Sequence, residues 1–147
     1  MKSITLEYDT SVNYSAVEAS GCEIRFGIEH CHFSNAYDDP CSRIIPVFLL
    51  PVNEWCHMGW EEAQNWAPAG FSPLGIKALM CIGIKHPNLQ REFPVVATGA
   101  PDDEGGGSAV YYPYLRMDGE KRIMHIPNWG IFSDSEINTM HGIFQKR

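Results

Sequence analysis

Alternation of apolar and polar residues predicts strands in the first third of the chain. In residues 3–8, Ile4, Leu6 and Tyr8 alternate with polar side chains, the period of a strand with one buried face. Residues 22–33 alternate in the same way. These two segments therefore predict half-buried strands.

Three further segments are apolar enough to be strands. Residues 43–50 predict a third strand, in which Pro46 removes a backbone donor and indicates a sheet edge or a bulge. Residues 75–85 are apolar on both strand faces and predict a buried central strand, although Ser72-Pro73 is typical of a helix start. Residues 91–99 predict the next strand.

A hairpin is the clearest element of the sequence. Asp118-Gly119 separates two strand-like runs, residues 109–117 and 120–126. This dipeptide is typical of a two-residue turn whose central residues both take positive φ. The pattern predicts two adjacent antiparallel strands.

Two segments have the period of a helix. Residues 53–68 have a wide apolar stripe that includes three tryptophans, and Pro68 ends it. Near the C-terminus, Ser133 and Glu136 have the spacing of a capping box, and the apolar stripe of residues 134–145 ends with Phe144.

These elements predict an α+β fold. We expect one domain over residues 1–147, with a mostly antiparallel sheet of about seven short strands and two helices packed on one face. The length of 147 residues suits one domain with a single sizeable core.

Charge and hydropathy limit the classes of partner. The formal net charge is −7 and the Lys and Arg residues are scattered, so we expect no nucleic-acid binding. The N-terminus has no apolar signal-peptide segment. The longest apolar run has nine residues and two prolines, so we expect no membrane span and a cytoplasmic protein. The five cysteines, an odd number, predict reduced thiols.

The densest group of chemically active side chains lies in residues 27–41. His30 and His32 lie on the same strand face, and Asp38 and Asp39 follow in a loop. Three interpretations are open: a strand that ends in solvent, a polar ligand pocket, or a metal site. Because tight Cys/His spacing is missing, we expect no structural metal and no cofactor.

Aromatic residues are numerous for a chain of this length. Tyr112 and Tyr114 share a strand face, and Tyr37 lies beside the two aspartates. Tyr and Trp favour interfaces and ligand pockets because their rings are apolar with a polar end. We expect at least one tyrosine face to be exposed.

The sequence therefore predicts a small binding domain with an aromatic, acidic surface. Its expected partners are a second copy in a homodimer, a basic protein or a small molecule. The alternative is a small enzyme, with or without a metal ion, whose pocket is lined by His30, His32 and Asp38 or Asp39.

Overall fold

Within the residues that the structure describes, the fold is α+β and is built on one eight-stranded sheet. The computed structural model describes residues 1–25, 33, 35, 37–100, 112–125 and 134–147. The strands are β1 (Lys2–Tyr8), β2 (Cys22–Ile24), β3 (Arg43–Pro51), β4 (Phe71–Pro73), β5 (Val95–Val96), β6 (Tyr114–Asp118), β7 (Lys121–His125) and β8 (His141–Lys146). The helices are α1 (Tyr14–Ala19), α2 (Asn53–Cys56), α3 (Trp60–Ala63), α4 (Ile76–Lys85), α5 (Leu89–Glu92) and α6 (Asp134–Thr139).

The sheet is mixed rather than mostly antiparallel. Its strand order is β1-β3-β8-β5-β6-β7-β2, and β4 pairs with β8. The pairs β2·β7 and β5·β8 are parallel, and the other pairs are antiparallel. The expectation of a mostly antiparallel sheet is thus only partly correct, because β5 and β2 each reach their partners through long connections.

The core lies on both faces of the sheet. Consecutive strand residues point to opposite faces, and the neighbours Ile143 and Phe144 accordingly belong to two separate apolar clusters. Helices α1 and α4 contribute to the cluster that contains Ile143, whereas α2, α3 and α6 contribute to the one that contains Phe144. The expected packing of two helices on one face is not confirmed.

Two of the predicted strands, β1 and β3, are present, and β1 keeps its predicted inward face. Leu6 and Tyr8 of β1 are buried, and so are Ile45, Val47 and Leu49 of β3. Pro46, expected at an edge or a bulge, lies opposite Thr5 of β1 and outside the segment 48–51 that pairs with β8. At Pro46 the strand is therefore paired on one side, where a missing donor costs little.

Three predicted elements are wrong. Residues 76–85 form helix α4 instead of a strand; its six consecutive buried residues, from Ala78 to Gly83, have the apolar content of a buried strand in the sequence. The C-terminal helix ends at Thr139, and the segment continues as β8. Residues 53–68 contain two short helices, and α1 lies in a segment for which no helix was predicted.

The hairpin is confirmed with a different register. Asp118 pairs with Lys121, so the turn residues are Gly119 and Glu120. Only Gly119 has positive φ (60°), as in turns with glycine at the first central position. This register places His125 opposite Tyr114.

Candidate functional site

The structure describes the loop residues of the predicted site, Tyr37, Asp38 and Asp39, but not its two histidines. His30 and His32 lie outside the described residues. Tyr37 is half-buried, and a Cβ on Gly99 would lie 3.1 Å from its Cδ2 atom. The ring of Tyr37 thus packs closely against the backbone at Gly99.

Asp38 caps helix α4. Its Oδ1 accepts a hydrogen bond from the backbone N–H of Lys77 at 3.1 Å. The N-cap residue is Gly75, which has no side chain to perform this role, and a Cβ there would lie 2.3 Å from the Asp38 oxygen. Burial raises the pKa of Asp38, although the Lys77 hydrogen bond and charge oppose it. The carboxylate therefore replaces a local helix cap.

Asp39 stabilises the same loop. Its Oδ2 lies 2.5 Å from Nε of Arg43, and its Oδ1 accepts a hydrogen bond from the backbone of Cys41 at 2.9 Å. The backbone N–H of Asp39 donates to the hydroxyl of Tyr8 at 2.9 Å. Burial, followed by the charge of Asp38, raises the pKa of Tyr8. Both aspartates thus have structural partners.

Tyr112 and Tyr114 are not exposed, in contrast to the expectation for the aromatic surface. Their exposed fractions are 1% and 3%. The ring of Tyr112 packs edge-on against Trp55 with centroids 5.0 Å apart. Burial raises the pKa of both phenols. Both rings belong to the buried apolar cluster that contains Phe144.

A polar network lies at the end of the β6–β7 hairpin. The hydroxyl of Tyr114 donates to Oε2 of Glu136 at 2.7 Å. Nε of Arg116 donates to Nδ1 of His125 at 3.1 Å, and the rings of Tyr114 and His125 are 5.7 Å apart. Burial, reinforced by the Arg116 charge, lowers the pKa of His125 to about 4. His125 is therefore neutral at pH 7 and accepts a hydrogen bond from Arg116.

The low pKa of His125 gives a pH-dependent contribution to stability. The unfolded chain protonates this residue near pH 6.5 and the folded chain only near pH 4, so the unfolded state binds more protons between these values. Because the ring is only half-buried, we expect His125 to lower the free energy of unfolding by about 2 kcal/mol from pH 7 to pH 4.

This contribution can be isolated with His125→Asn, whose amide oxygen takes the position of Nδ1 and can still accept from Arg116. Urea denaturation of both proteins at pH 7, 5.5 and 4 would show wild type losing more stability than the variant. Equal losses of stability in the two proteins would contradict the low pKa of His125. The difference between the two proteins is the quantity to measure, since Asp38 has a raised pKa and contributes with the opposite sign.

The same network borders a cleft between α5, β6 and α6. We call it the α5–β6 cleft, and its volume is about 360 Å³. Its walls include Arg91, Glu92, Phe93, Arg116, Met117 and Glu136. It combines charged groups with an aromatic ring and a thioether, as small-molecule sites do.

The charges in the α5–β6 cleft are not equally available. Glu92 forms an ion pair with Lys2 at 2.7 Å, and Glu136 accepts from the Tyr114 hydroxyl. Arg116 is half-buried, and within the described ranges no carboxylate lies within 4.0 Å of its guanidinium. Its hydrogen bonds go to His125 and to the carbonyl of Met117. Arg116 is therefore a partly desolvated cation positioned to contact an anion.

Other features of the described part of the chain provide less chemistry. No group of three His, Cys, Asp or Glu side chains among the described residues could hold a metal ion. Cys22, Cys41, Cys56 and Cys81 are free thiols, and burial raises the pKa of Cys56 to about 11, so it is a poor nucleophile. No described helix is long and apolar enough to cross a bilayer.

The α5–β6 cleft has no counterpart in the sequence interpretation. Arg91, Arg116 and Glu136 are far apart in the chain, and only the sheet order brings their elements together. The one sequence feature that pointed to this site was the hairpin, because the pairing of β6 with β7 places His125 near Tyr114 and Arg116. A comparison of the chain with known protein families, curated protein sequences and solved structures finds no match.

Proposed function

We propose that this protein binds a small organic anion in the α5–β6 cleft. The observation that carries the proposal is the half-buried guanidinium of Arg116, which lines a cleft of about 360 Å³. A carboxylate or phosphate group of the ligand would contact Arg116, since a planar guanidinium matches these anions in geometry and charge. The apolar part of the ligand would pack against Phe93 and Met117.

The hydrogen bond to His125 supports this role. A guanidinium held at Nε by a neutral imidazole has a fixed plane, so less side-chain entropy is lost when an anion binds. At pH 7 the neutral His125 adds no second positive charge beside Arg116 and forms no ion pair with it. His125 is thus a positioning residue for the anion contact.

A small ligand is better supported than a protein partner. Among the described residues, the large hydrophobic side chains that are exposed are Met1 and Ile44. Stable protein interfaces need larger apolar centres. A homodimer, a basic protein partner and a cytoplasmic location, which the sequence predicts, are compatible with ligand binding. They stay part of the proposal.

The alternative of a small enzyme rests on other residues. It requires His30 and His32, which lie outside the described residues, and Asp38 or Asp39, which bind α4 and Arg43. Neither Asp38 nor Asp39 lines the α5–β6 cleft. Binding without catalysis is accordingly the function that we propose first.

The proposal is tested by calorimetric titration with octanoate and with inorganic phosphate at low ionic strength. We expect saturable binding of at least one probe, which weakens as salt is added because the contact is ionic. Arg116→Gln should weaken binding about tenfold or more, the effect of losing hydrogen bonds to a charged group. Arg116→Lys, which keeps the charge but loses the planar fork, should have an intermediate effect.

Arg147→Gln is the matched control. It removes the same charge from a side chain that lies outside the cleft and donates to the carbonyl of Phe71. Its affinity should equal that of the wild type. If neither probe binds, or if Arg116→Gln and Arg147→Gln bind equally well, the proposal is wrong. Thermal melting of each variant separates lost binding from lost folding.

A further inference from the structure

A second cleft adjoins the α5–β6 cleft along helix α5. We call it the β1 cleft, because it lies against the first strand, and its volume is about 290 Å³. Its walls include Lys2, Ile4, Lys85, His86, Leu89 and Glu92. Glu92 lines both clefts, so they meet at this side chain.

Together the two clefts are cationic in an acidic protein. They are lined by four of the eleven Lys and Arg residues, namely Lys2, Lys85, Arg91 and Arg116. Among the described residues, two acidic side chains line them, Glu92 and Glu136. In a chain with net charge −7, the described lining of this groove thus has more cationic than acidic side chains.

The lysines of the β1 cleft are held only by weak contacts. Lys2 pairs with Glu92, with side chains that are 41% and 53% exposed. Lys85 lies 3.8 Å from Glu7, and these side chains are 44% and 72% exposed. Exposed pairs of this kind contribute little and open readily. Lys2 can therefore turn from Glu92 to an anion without a large cost.

From these observations we infer that the two clefts form one bipartite site for an elongated molecule with an acidic group at each end. This inference rests on the proposed function, because one acidic group contacts Arg116. The other contacts Lys2 and Lys85 in the β1 cleft. Helix α5 separates the two clefts, so the acidic groups are separated by about 10 Å, the width of a helix. The apolar middle of the ligand passes Phe93 and Leu89.

The ion pair between Lys2 and Glu92 lies where the ligand crosses from one cleft to the other. When the second acidic group binds, Lys2 exchanges the Glu92 carboxylate for that group, and Glu92 becomes solvated. One exposed ion pair is thereby replaced by another. The affinity gained comes from the contact with Lys85 and from the covalent link between the two acidic groups, which raises the effective concentration of the second group. A molecule with a single acidic group has no access to this gain.

The test compares octanoate with suberate, which have the same chain length and one or two carboxylates. We expect wild type to bind suberate about fivefold more tightly than octanoate, as one additional ion pair allows. Succinate, which is too short to reach both clefts, should show no such advantage. Lys2→Gln and Lys85→Gln should each reduce suberate binding toward the octanoate value. Lys85→Gln, which does not disturb the ion pair of Glu92, should leave octanoate binding unchanged.

The variants separate this inference from the proposed function. Lys121→Gln removes a lysine that lines neither cleft and should bind suberate as wild type does. Equal affinity for suberate and octanoate, or unchanged suberate binding in both lysine variants, would overturn the bipartite site. If Arg116→Gln still weakened octanoate binding in that case, the proposed function would stand. Loss of suberate binding in Lys121→Gln would also count against the inference, since it would indicate only a general charge effect.

Discussion

Phe144→Ala should lower the free energy of unfolding by about 3–5 kcal/mol, the usual cost of removing a fully buried ring. Phe144 lies on the central strand β8 and has no exposed surface. Its ring packs edge-on against Trp66 and Phe71, with centroids 6.0 and 6.5 Å away. Truncation would leave a cavity that these large rings cannot fill by small shifts.

Gly142 shows how closely this ring fits. A Cβ at Gly142 would lie 2.7 Å from Cζ of Phe144 and 2.9 Å from Cγ1 of Val52. Real atoms do not approach so closely, so any side chain at position 142 would displace the ring. The chain therefore needs glycine at one position of β8 and a full aromatic side chain two residues later.

Phe48→Ala is the matched control. Phe48 pairs directly with Phe144 across β3 and β8, but its ring is only partly buried. We expect a loss of about 1–2 kcal/mol for this variant, because less apolar area leaves water. Urea denaturation with a shared slope compares the two. If Phe144→Ala lowered the free energy of unfolding no more than Phe48→Ala does, the description of Phe144 as a fully packed core residue would be wrong.

Phe144 also shows which part of the sequence interpretation succeeds. Its burial was predicted correctly from an apolar stripe at helical spacing, yet the residue lies on a strand. Ile143 and Phe144 are both buried, on opposite faces of the sheet. When both faces of a short segment are covered, apolar content predicts burial, but its spacing no longer distinguishes helix from strand.

Helix α4 illustrates the same limit from the other side. Six consecutive residues of α4 are buried, and the residues that keep exposed surface are Lys77, Ile84 and Lys85. Their spacing of i, i+7 and i+8 is that of one helix face, but the long apolar run between them obscures it in the sequence. Strand β1, in which apolar residues alternate with polar ones, was predicted accurately. A polar face along the whole element therefore leaves a readable period, whereas a long buried run obscures it.

The site was harder to predict than the fold. The histidines and aspartates of residues 27–41 are close in sequence, and this proximity favoured them as a site. Asp38 instead binds the start of α4, a role that depends on Gly75, 37 positions away. The residues of the α5–β6 cleft are also far apart in the sequence. No local sequence pattern indicates that the order of the strands will bring them together.

Arg122 is the second residue whose substitution should have a large effect on the free energy of unfolding. It lies on β7 and is 7% exposed. Nη1 donates to the carbonyl of Gly83 at 2.8 Å, and Nη2 donates to the carbonyl of Ser20. These carbonyls lie in the last turn of α4 and at the C-cap of α1. One guanidinium thus joins the negative ends of two helices to the sheet.

Arg122→Met should lower the free energy of unfolding by about 2 kcal/mol, although two effects oppose each other. Removing the guanidinium leaves two carbonyls without their donor, which destabilises the fold. It also removes a buried cation that has no carboxylate within 4.0 Å among the described side chains, which stabilises it. The first effect should prevail because the two helix ends are already electronegative and favour a cation.

The neighbouring lysine supplies the control for Arg122. Lys121→Met removes an equal charge from an exposed side chain and should change stability by no more than about 0.5 kcal/mol. Arg122→Lys should fall between the two, because one ammonium group cannot reach both carbonyls with the geometry of a planar fork. Chemical denaturation of the three variants measures the order. An Arg122→Met protein as stable as wild type would show that the cost of burying the guanidinium cancels its two hydrogen bonds, and that α1 and α4 are held to the sheet by apolar packing alone.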